Sequence, residues 1–203
     1  MQNVVAINSA ASQGILAAQA TSDEMLLQSI ADGGRTAMHI LYSRHQVRVY
    51  RFILRIVRDT TIAEDLVSQV FLDVWRTAKQ FEGRSQVSTW LLSIARFKAL
   101  TALRQRRFED IDQDEVREIA DESETPETSL ERTTTSAILR ACVAKLSPAH
   151  REIINLVYYH EKSVEEVGQI IGIPQSTVKT RMFYARKQLG ELLRGAGVHS
   201  LAA

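Results

Sequence analysis

The side chains best suited to chemistry with a polyanion lie in the segment SVEEVGQIIGIPQSTVKTRMFYARKQL, residues 163–189. Its second half places hydroxyls, an amide, cations and an aromatic ring along one side of a helical repeat: Gln175, Ser176, Lys179, Thr180, Phe183, Arg186 and Lys187. Such groups bind base edges and phosphates, and a helix that presents them fits the major groove of duplex DNA. A plain amphipathic helix with a solvated polar face gives the same pattern, so this segment alone leaves both interpretations open.

Helix-end signals divide this segment into two short helices with a tight turn between them. Ser163 and Glu166 have the spacing of a capping box. Gly172 suits the left-handed conformation that ends a helix, and Pro174 suits the start of the next one. The side opposite the polar face carries apolar residues at steps of four, three and four: Val178, Met182, Ala185 and Leu189. The pattern predicts a helix-turn-helix unit.

A second group of candidate residues combines aromatic rings with cations between residues 81 and 107. Phe81, Trp90 and Phe97 lie in or beside a polar loop and the helix that follows it. Unpaired bases bind by stacking on aromatic rings while cations hold the backbone. Aromatic residues at helical spacing are also ordinary core residues, and we expect Trp90 and Phe97 to be at least half core. The outward cations of this helix are expected to be Arg96, Lys98, Arg104, Arg106 and Arg107.

Signals for catalysis are absent from the sequence. It contains no phosphate-cradling Gly-rich loop, no His-Glu-x-x-His and no Gly-x-Ser-x-Gly, and its five histidines are scattered singly. The single cysteine, Cys142, excludes an internal disulfide and lies among apolar residues, as a small buried hydrophobe does. We therefore expect no enzymatic activity, no metal ion and no cofactor.

The net charge of +1 conceals a strong partition along the chain. Residues 1–108 carry 14 Lys or Arg against 8 Asp or Glu, a net +6. Residues 109–131 carry 1 against 11, a net −10, and residues 132–203 carry 10 against 5, a net +5. Two basic modules therefore flank an acidic stretch that has too few apolar residues to form a core. Basic modules favour a polyanionic partner.

The remaining segments predict a chain built of helices. Thr21 with Glu24 and Thr61 with Glu64 have capping-box spacing at two helix starts. The helix after Thr61 should bury Leu66, Val67, Val70, Phe71, Val74 and Ala78. A helix resumes near Leu130, and Ser147 with Pro148 begins another. We predict an all-α protein of two small helical domains, an N-terminal helical bundle and a C-terminal helix-turn-helix bundle, joined by a flexible acidic linker.

No apolar run approaches the roughly 18 residues that cross a membrane. The first twenty residues lack the basic start of a signal peptide and are expected to be a weakly ordered lead-in. These features favour a cytoplasmic protein.

Four stretches resemble the extracytoplasmic-function (ECF) sigma factors of bacterial RNA polymerase, and they occur in the family's order. They are AEDLVSQVFLDVW at 63–75, STWLLSIAR at 88–96, LSPAHREII at 146–154 and VEEVGQIIGIPQSTVKTRMFYARKQL at 164–189. The resemblance implies five segments: a lead-in at 1–21, sigma region 2 at 22–108, an acidic linker at 109–129, sigma region 4 at 130–194 and a tail at 195–203. It implies a protein that binds core RNA polymerase and directs promoter-specific transcription initiation, with a role in stress responses.

For the N-terminal module, the resemblance implies two interfaces. The helix after Thr61 would dock on the clamp helices of the polymerase's largest subunit through Asp65, Leu66, Ser68, Gln69, Leu72 and Asp73. The loop at 81–90 and the next helix would open the minus-ten element through Trp90, Arg96, Lys98, Arg104, Arg106 and Arg107. The chain departs from the family where Ser68 and Gln69 replace an amide and an acid, and where Phe97 replaces a frequent asparagine.

For the C-terminal module, the resemblance implies recognition of the minus-thirty-five element. Positions that face bases in the family are Lys179, Thr180, Phe183 and Tyr184, the last in place of a frequent arginine. Positions that hold phosphates are Ser176, Thr177, Arg181 and Arg186, and Gln175 begins the same polar face. Such sigma factors are commonly held inactive by an anti-sigma factor, and we expect one here.

Three alternatives come from other classes, and one of them, a purely structural helical protein, would leave the two basic modules unexplained. A stand-alone helix-turn-helix regulator would bind palindromic DNA as a dimer without polymerase, but neither a dimerisation surface nor a ligand pocket is evident in the sequence. A sigma-mimicking adaptor that binds an anti-sigma factor typically adds a receiver domain, for which this chain has no room.

Overall fold

The computed structural model describes residues 21–109 and 130–198, and all regular structure in these ranges is helical. The helices are α1 Asp23–Ala31, α2 Arg35–Val57, α3 Thr60–Thr77, α4 Val87–Glu109, α5 Leu130–Ala144, α6 Pro148–Ile154, α7 Val164–Ile171 and α8 Gln175–Gly195. A 3₁₀ turn at Ala78–Gln80 follows α3, and a π-helical turn at Asn155–Tyr159 follows α6. The expected all-α class is confirmed. Almost all of the expected lead-in, almost all of the acidic linker and the last residues of the tail lie outside the described residues.

Contacts between residues divide the chain into two compact units. Within the part of the chain that the structure describes, the N-terminal unit comprises residues 21–54 and 59–99, and the C-terminal unit comprises residues 55–58, 100–109 and 130–198. Among the described residues, no helix is both long enough and apolar enough to cross a membrane.

The apolar stripes of α1 to α4 form the core of the N-terminal unit. Leu27 and Ile30 of α1, Leu41 and Phe52 of α2, and Leu91 of α4 are at most 1% exposed. The stripe predicted for α3 is buried as expected, and Tyr42 packs edge-to-face on Phe71 with ring centroids 4.8 Å apart. Because these apolar stripes are buried, the polar faces of α3 and α4 point toward solvent.

Both capping boxes predicted in this unit are wrong. The cap of α1 is Ser22, whose hydroxyl accepts from the Met25 N–H at 3.3 Å, one residue after the predicted Thr21. The cap of α3 is Asp59, whose carboxylate accepts from the Ile62 N–H at 3.0 Å, two residues before the predicted Thr61. At each helix start, several neighbouring residues have side chains that can cap a helix. Ser22 and Asp59 are the N-caps because their backbones have the extended conformation that an N-cap residue adopts.

In the C-terminal unit, α6 packs along α8. Leu146, Ile154 and Ala185 form a buried cluster, with Leu189 and Leu192 against it. Ser147 caps α6 as predicted. Arg151 donates from Nη2 to the carbonyl of Ala144, the last residue of α5, and to that of Leu146 in the turn after it. Cys142 is buried, as expected for a small hydrophobe.

The turn between α7 and α8 has the predicted geometry. Ser163 and Glu166 form both bonds of the capping box, and Gly172 is left-handed with φ 77° and ψ 38°. The close approach of the two helices requires a second glycine, Gly168. A Cβ on Gly168 would lie 2.9 Å from the Ile173 carbonyl oxygen, so any other residue would push the turn apart. This turn fixes the angle at which α8 leaves α7.

Candidate nucleic-acid interface

The helix α8 divides into a buried side and an exposed side, as its sequence predicts. Val178 and Ala185 are fully buried, whereas Phe183 is 64% exposed and Tyr184 53% exposed. The other exposed residues of the predicted set are Gln175, Ser176, Lys179, Thr180 and Arg186. Thr177 and Arg181 are partly buried. The structure therefore brings all nine predicted residues onto one helix, and most of them onto its open side.

Two local contacts order this exposed side. The Thr180 hydroxyl donates to the Ser176 carbonyl at 3.0 Å, which leaves the oxygen lone pairs able to accept a hydrogen bond, and the residue is exposed. The rings of Phe183 and Tyr184 meet edge-to-face with centroids 5.4 Å apart. An exposed hydroxyl, a methyl and two rings suit contacts with base edges and with the methyl group of thymine.

The cations of α8 are not all held in the same way. The Arg186 Nε donates to the Tyr158 hydroxyl at 2.8 Å. Among the described residues, neither Lys179 nor Arg181 forms an ion pair. Two of the predicted cations thus carry uncompensated charge, which favours a phosphate backbone.

The second candidate surface lies where the loop after α3 meets α4. Trp90 is partly buried against Phe81, with ring centroids 5.2 Å apart, which agrees with the expectation of a half-core residue. The expectation for Phe97 is wrong, because its side chain is 71% exposed. Helical spacing alone does not decide burial, because burial also depends on which other elements pack against each side of a helix. An exposed ring on a basic helix is a platform for an unpaired base.

The cations of α4 are placed differently from one another. The expectation that Lys98 faces outward is wrong: its Nζ lies 2.7 Å from the carboxylate of Asp73 in α3, and its side chain is only 16% exposed. Arg96 is partly buried, Arg104 is exposed and Arg106 is partly buried in the last turns of the helix. Arg107 belongs to α4, but its side chain lies outside the described residues. The structure groups Trp90, Arg96 and Lys98 in the N-terminal unit, whereas Arg104 and Arg106 follow Ala99, where that unit ends.

The predicted polymerase-binding residues fall on α3. Asp65, Ser68 and Gln69 are exposed, and Leu72 is 47% exposed. Asp73 is partly buried in its pair with Lys98. Leu66 is 5% exposed and packs in the core, so it supports this face from below and does not itself present a contact.

Several residues of these surfaces were missed by sequence reasoning. Trp75 of α3 is an apolar residue that is 37% exposed, and no motif indicated this exposure. Tyr158 is found only through its bond to Arg186, because 28 residues separate the two. Gly168 carried a usable signal, since a glycine inside a short amphipathic helix is unfavourable unless it makes room for close packing.

Among the described residues, no cluster of three or more His, Cys, Asp or Glu side chains is suited to hold a metal ion.

Family models match both halves of the chain in sequence order. Residues 41–109 match the model of Sigma-70 region 2, and residues 142–191 match that of Sigma-70, region 4. The first match contains α3 and α4 with their aromatic and cationic faces, and the second contains the helix-turn-helix. Regions 2 and 4 in this order are the pattern of a sigma factor.

Named relatives narrow the class further. The chain is 31% identical over 166 residues to the ECF RNA polymerase sigma factor SigL of Mycobacterium tuberculosis, covering 79% of this chain and 91% of SigL. It is also 31% identical over 170 residues to the RNA polymerase sigma factor CarQ of Myxococcus xanthus, covering 82% and 95%. The chain therefore belongs to the ECF sigma factor family.

Solved structures agree with this assignment. The sigma factor RpoE of Bartonella quintana, determined in complex with the anti-sigma factor NepR, matches with a TM-score of 0.63 and 27% identity, covering 75% of this chain and 94% of RpoE. CnrH, determined with the cytosolic domain of CnrY, has the same fold with a TM-score of 0.63 and 23% identity, covering 86% and 99%.

Proposed function

We propose that this chain binds core RNA polymerase in the cytoplasm and directs promoter-specific transcription initiation as a stress-responsive ECF sigma factor. The observation that carries the proposal is the helix-turn-helix, whose second helix, α8, buries one side and presents cations, hydroxyls and two aromatic rings on the other. In this role the chain supplies recognition and strand capture, and polymerase carries out the chemistry of transcription.

The minus-thirty-five element is the proposed target of α8. Lys179, Thr180, Phe183 and Tyr184 would meet base edges in the major groove, because all four are exposed on one helix. The neighbouring polar and cationic side chains would hold phosphates: Gln175, Ser176, Thr177, Arg181 and Arg186. Phosphate contacts would set the register of the helix, and base contacts would set its sequence preference.

The minus-ten element is the proposed target of the surface around Trp90 and Phe97. Unpaired bases would stack on exposed aromatic area while Arg96, Lys98 and the cations near the end of α4 hold the strand. The exposed face of α3, with Asp65, Ser68, Gln69 and Leu72, would dock on the polymerase clamp helices, and Asp73 lies at its edge. Leu66 would contribute through the packing beneath that face.

The proposed domain limits follow from the same assignment. Region 2 would span 22–108 and region 4 would span 130–194, with a lead-in at 1–21, an acidic linker at 109–129 and a tail at 195–203. The family matches and the two compact units support this order of modules.

Run-off transcription tests the proposal. Core polymerase with this protein should give transcripts from a subset of genomic promoter fragments, and core polymerase without it should not. Protein carrying Leu72→Glu is the matched variant, since a charge at an exposed docking leucine should block polymerase binding while leaving the fold intact. Absence of a promoter-specific transcript under every condition, together with tight polymerase-free binding to palindromic DNA, would favour a stand-alone regulator instead.

An anti-sigma factor is the proposed regulator. Leu72 and Trp75 expose apolar area on α3, and a covering partner would bury that area and block polymerase at the same time. The complex of RpoE with NepR supports a partner of this class. A pulldown from uninduced cells should recover one protein besides polymerase subunits, and it should lose that protein with Leu72→Glu. Recovery of polymerase subunits alone would contradict the proposal.

A further inference from the structure

The contact between Tyr158 and Arg186 joins two elements at the edge of the proposed DNA-reading face. Tyr158 lies in the π-helical turn that follows α6, and Arg186 lies on α8. The Arg186 Nε donates to the Tyr158 hydroxyl at 2.8 Å, and the guanidinium carbon lies 5.7 Å from the centre of the tyrosine ring. Tyr158 is 55% exposed, so a large ligand has access to the pair.

The π-helical turn accounts for the position of Tyr158. The His160 N–H donates to the Asn155 carbonyl five residues earlier, at 3.2 Å, so this turn holds one residue more than a turn of α-helix. The extra residue shifts the register after Ile154, whose side chain packs in the core between α6 and α8. Turns of this kind are frequent at functional sites. Here the turn presents a tyrosine beside the outer side of α8.

Arg186 lies on the same side of α8 as two proposed base contacts. It follows Phe183 by three residues and Lys179 by seven, which places all three along one line of the helix. The bond to Tyr158 uses one of the five N–H donors of the guanidinium. The four donors on Nη1 and Nη2 stay available, and they match two oxygens of a phosphate.

The hydroxyl of Tyr158 adds to the same binding group. It accepts from Arg186, and its own proton is still available to donate to a phosphate oxygen. A free arginine side chain loses much rotational freedom when it binds, and an arginine already held by a neighbour loses less. An exposed contact of this kind contributes little to folding stability, so its effect should appear in binding.

We propose that Tyr158 and Arg186 together form a phosphate-binding pair, in which Tyr158 holds the guanidinium of Arg186 ready for the backbone of the minus-thirty-five duplex. This inference rests on the proposed function of α8. It adds a residue from α6 and its π-helical turn to an interface that the sequence placed entirely on the helix-turn-helix.

The test uses the full chain with core polymerase. It measures holoenzyme affinity for a promoter fragment recovered by run-off transcription and for the same fragment with a scrambled minus-thirty-five element, over a series of KCl concentrations. Tyr158→Phe keeps the ring and removes the hydroxyl, and it should lower affinity for both fragments equally, by about three- to tenfold. Arg186→Ala should lower affinity further and reduce the salt slope by about 1.

Two comparisons separate a binding role from a structural one. In protein carrying Arg186→Lys, which keeps the charge but has no Nε, adding Tyr158→Phe should have little further effect. Arg194→Ala removes a positive charge from an exposed site at the end of α8 and is the matched control, with affinity close to that of the unchanged protein. Thermal unfolding of the Tyr158→Phe protein should match that of the unchanged protein.

The outcomes distinguish this inference from the proposed function. Unchanged affinity with Tyr158→Phe would overturn the pair, whether or not Arg186→Ala weakens binding. If Lys179→Ala and Phe183→Ala weaken promoter binding in the same assay, the reading helix stands and only the pair is wrong. If none of these variants changes promoter binding, the proposed function of α8 itself fails.

Discussion

The two proposed DNA surfaces hold their cations in different ways. In the N-terminal unit, Lys98 is paired with Asp73 at 2.7 Å and its side chain is 16% exposed. In the C-terminal unit, Lys179 is exposed, and within residues 21–109 and 130–198 it has no carboxylate partner. The N-terminal surface therefore keeps its proposed DNA-binding cation in an ion pair within the protein, and the C-terminal surface presents its proposed cation to solvent.

This difference fits the two forms of DNA that the surfaces would bind. A duplex already has its phosphates and base edges in place, so a rigid helix with charges pointing outward is complementary to it from the start. A single strand exists at the minus-ten element only after the duplex opens. Binding that strand through Lys98 requires exchange of the Asp73 carboxylate for a phosphate. In the proposed roles, the C-terminal surface would bind duplex DNA without losing a contact, and the N-terminal surface would first have to break the pair of Lys98 with Asp73.

The largest expected effect tests the C-terminal surface, the one proposed to bind DNA without first breaking an ion pair. Lys179→Ala and Phe183→Ala should each reduce the preference for the correct minus-thirty-five sequence by about 1–3 kcal/mol, because each would remove a base contact. Competition between the promoter fragment and its scrambled form, with holoenzyme, measures this preference. Arg194→Ala controls for the loss of one positive charge on the same helix. Equal losses on both fragments would mark these residues as backbone contacts and weaken the contrast with the N-terminal surface.

The second effect tests whether the C-terminal surface is rigid. Gly168→Ala would place a Cβ 2.9 Å from the Ile173 carbonyl oxygen. Such overpacking costs about 1–3 kcal/mol, whereas alanine in a helix gains about 0.5–1 kcal/mol over glycine. The net loss of unfolding free energy should therefore be about 1 kcal/mol, and at most about 2.5 kcal/mol, measured by denaturant unfolding of the full chain.

Gly190→Ala is the matched control for this change. Gly190 lies inside α8, and among the described residues no atom apart from its chain neighbours and the adjacent backbone of α8 lies within 4 Å of an added Cβ. This substitution should therefore stabilise the chain by about 0.5–1 kcal/mol. If Gly168→Ala also stabilises, the turn between α7 and α8 tolerates movement and the angle of α8 is not fixed.

Local signals in the sequence predicted the C-terminal surface well. The capping box at Ser163 and Glu166, the left-handed Gly172 and the buried side of α8 depend on residues within a few positions of each other. The same reasoning predicted the wrong N-caps for α1 and α3, because neighbouring residues there can also cap a helix; the N-caps are Ser22 and Asp59.

Contacts between distant segments were beyond sequence reasoning. Whether Phe97 is buried or exposed depends on which elements pack against that side of α4. The spacing of residues along α4 does not contain this information. The pairs of Lys98 with Asp73 and of Arg186 with Tyr158 join residues 25 and 28 positions apart. The resemblance to the family suggested the roles proposed for the two surfaces. Only the structure shows which cations already contact other side chains of the protein.

The third effect tests the proposed stacking surface. Phe97 is 71% exposed, and its truncation in Phe97→Ala should weaken binding of the full chain to single-stranded DNA by about 1 kcal/mol, the lower end for an aromatic that stacks on a base. Phe97→Trp should restore the affinity, because a larger ring stacks at least as well. Fluorescence anisotropy with a labelled oligonucleotide of the minus-ten strand measures both.

Val47→Ala is the control for this experiment, since Val47 is an apolar residue of α2 that is 52% exposed. It should leave the affinity unchanged. Equal losses with Val47→Ala and Phe97→Ala would indicate a general effect of removing exposed apolar area, and Phe97 would then have no specific role in binding a strand.

The smallest expected effect tests whether the ion pair of Lys98 with Asp73 distinguishes the N-terminal surface from the C-terminal one. Asp73→Asn removes the charge that holds Lys98, so Lys98 should become available to a phosphate of single-stranded DNA. The ion pair is partly exposed and contributes less than about 1 kcal/mol. Affinity of the polymerase-free chain for the minus-ten oligonucleotide should therefore rise only about two- to fivefold. The salt slope should steepen by about 0.7, the value for one additional phosphate on a single strand.

Asp65→Asn removes the same charge from an exposed position on the same helix and leaves the pair of Asp73 with Lys98 intact. If it raises affinity as much as Asp73→Asn does, the gain comes from net charge alone and Lys98 is not being released. If Lys98→Gln cancels the gain of Asp73→Asn, the released cation is the one that binds. The N-terminal surface would then be limited by an ion pair that DNA must break, and the C-terminal surface would have no such barrier at Lys179.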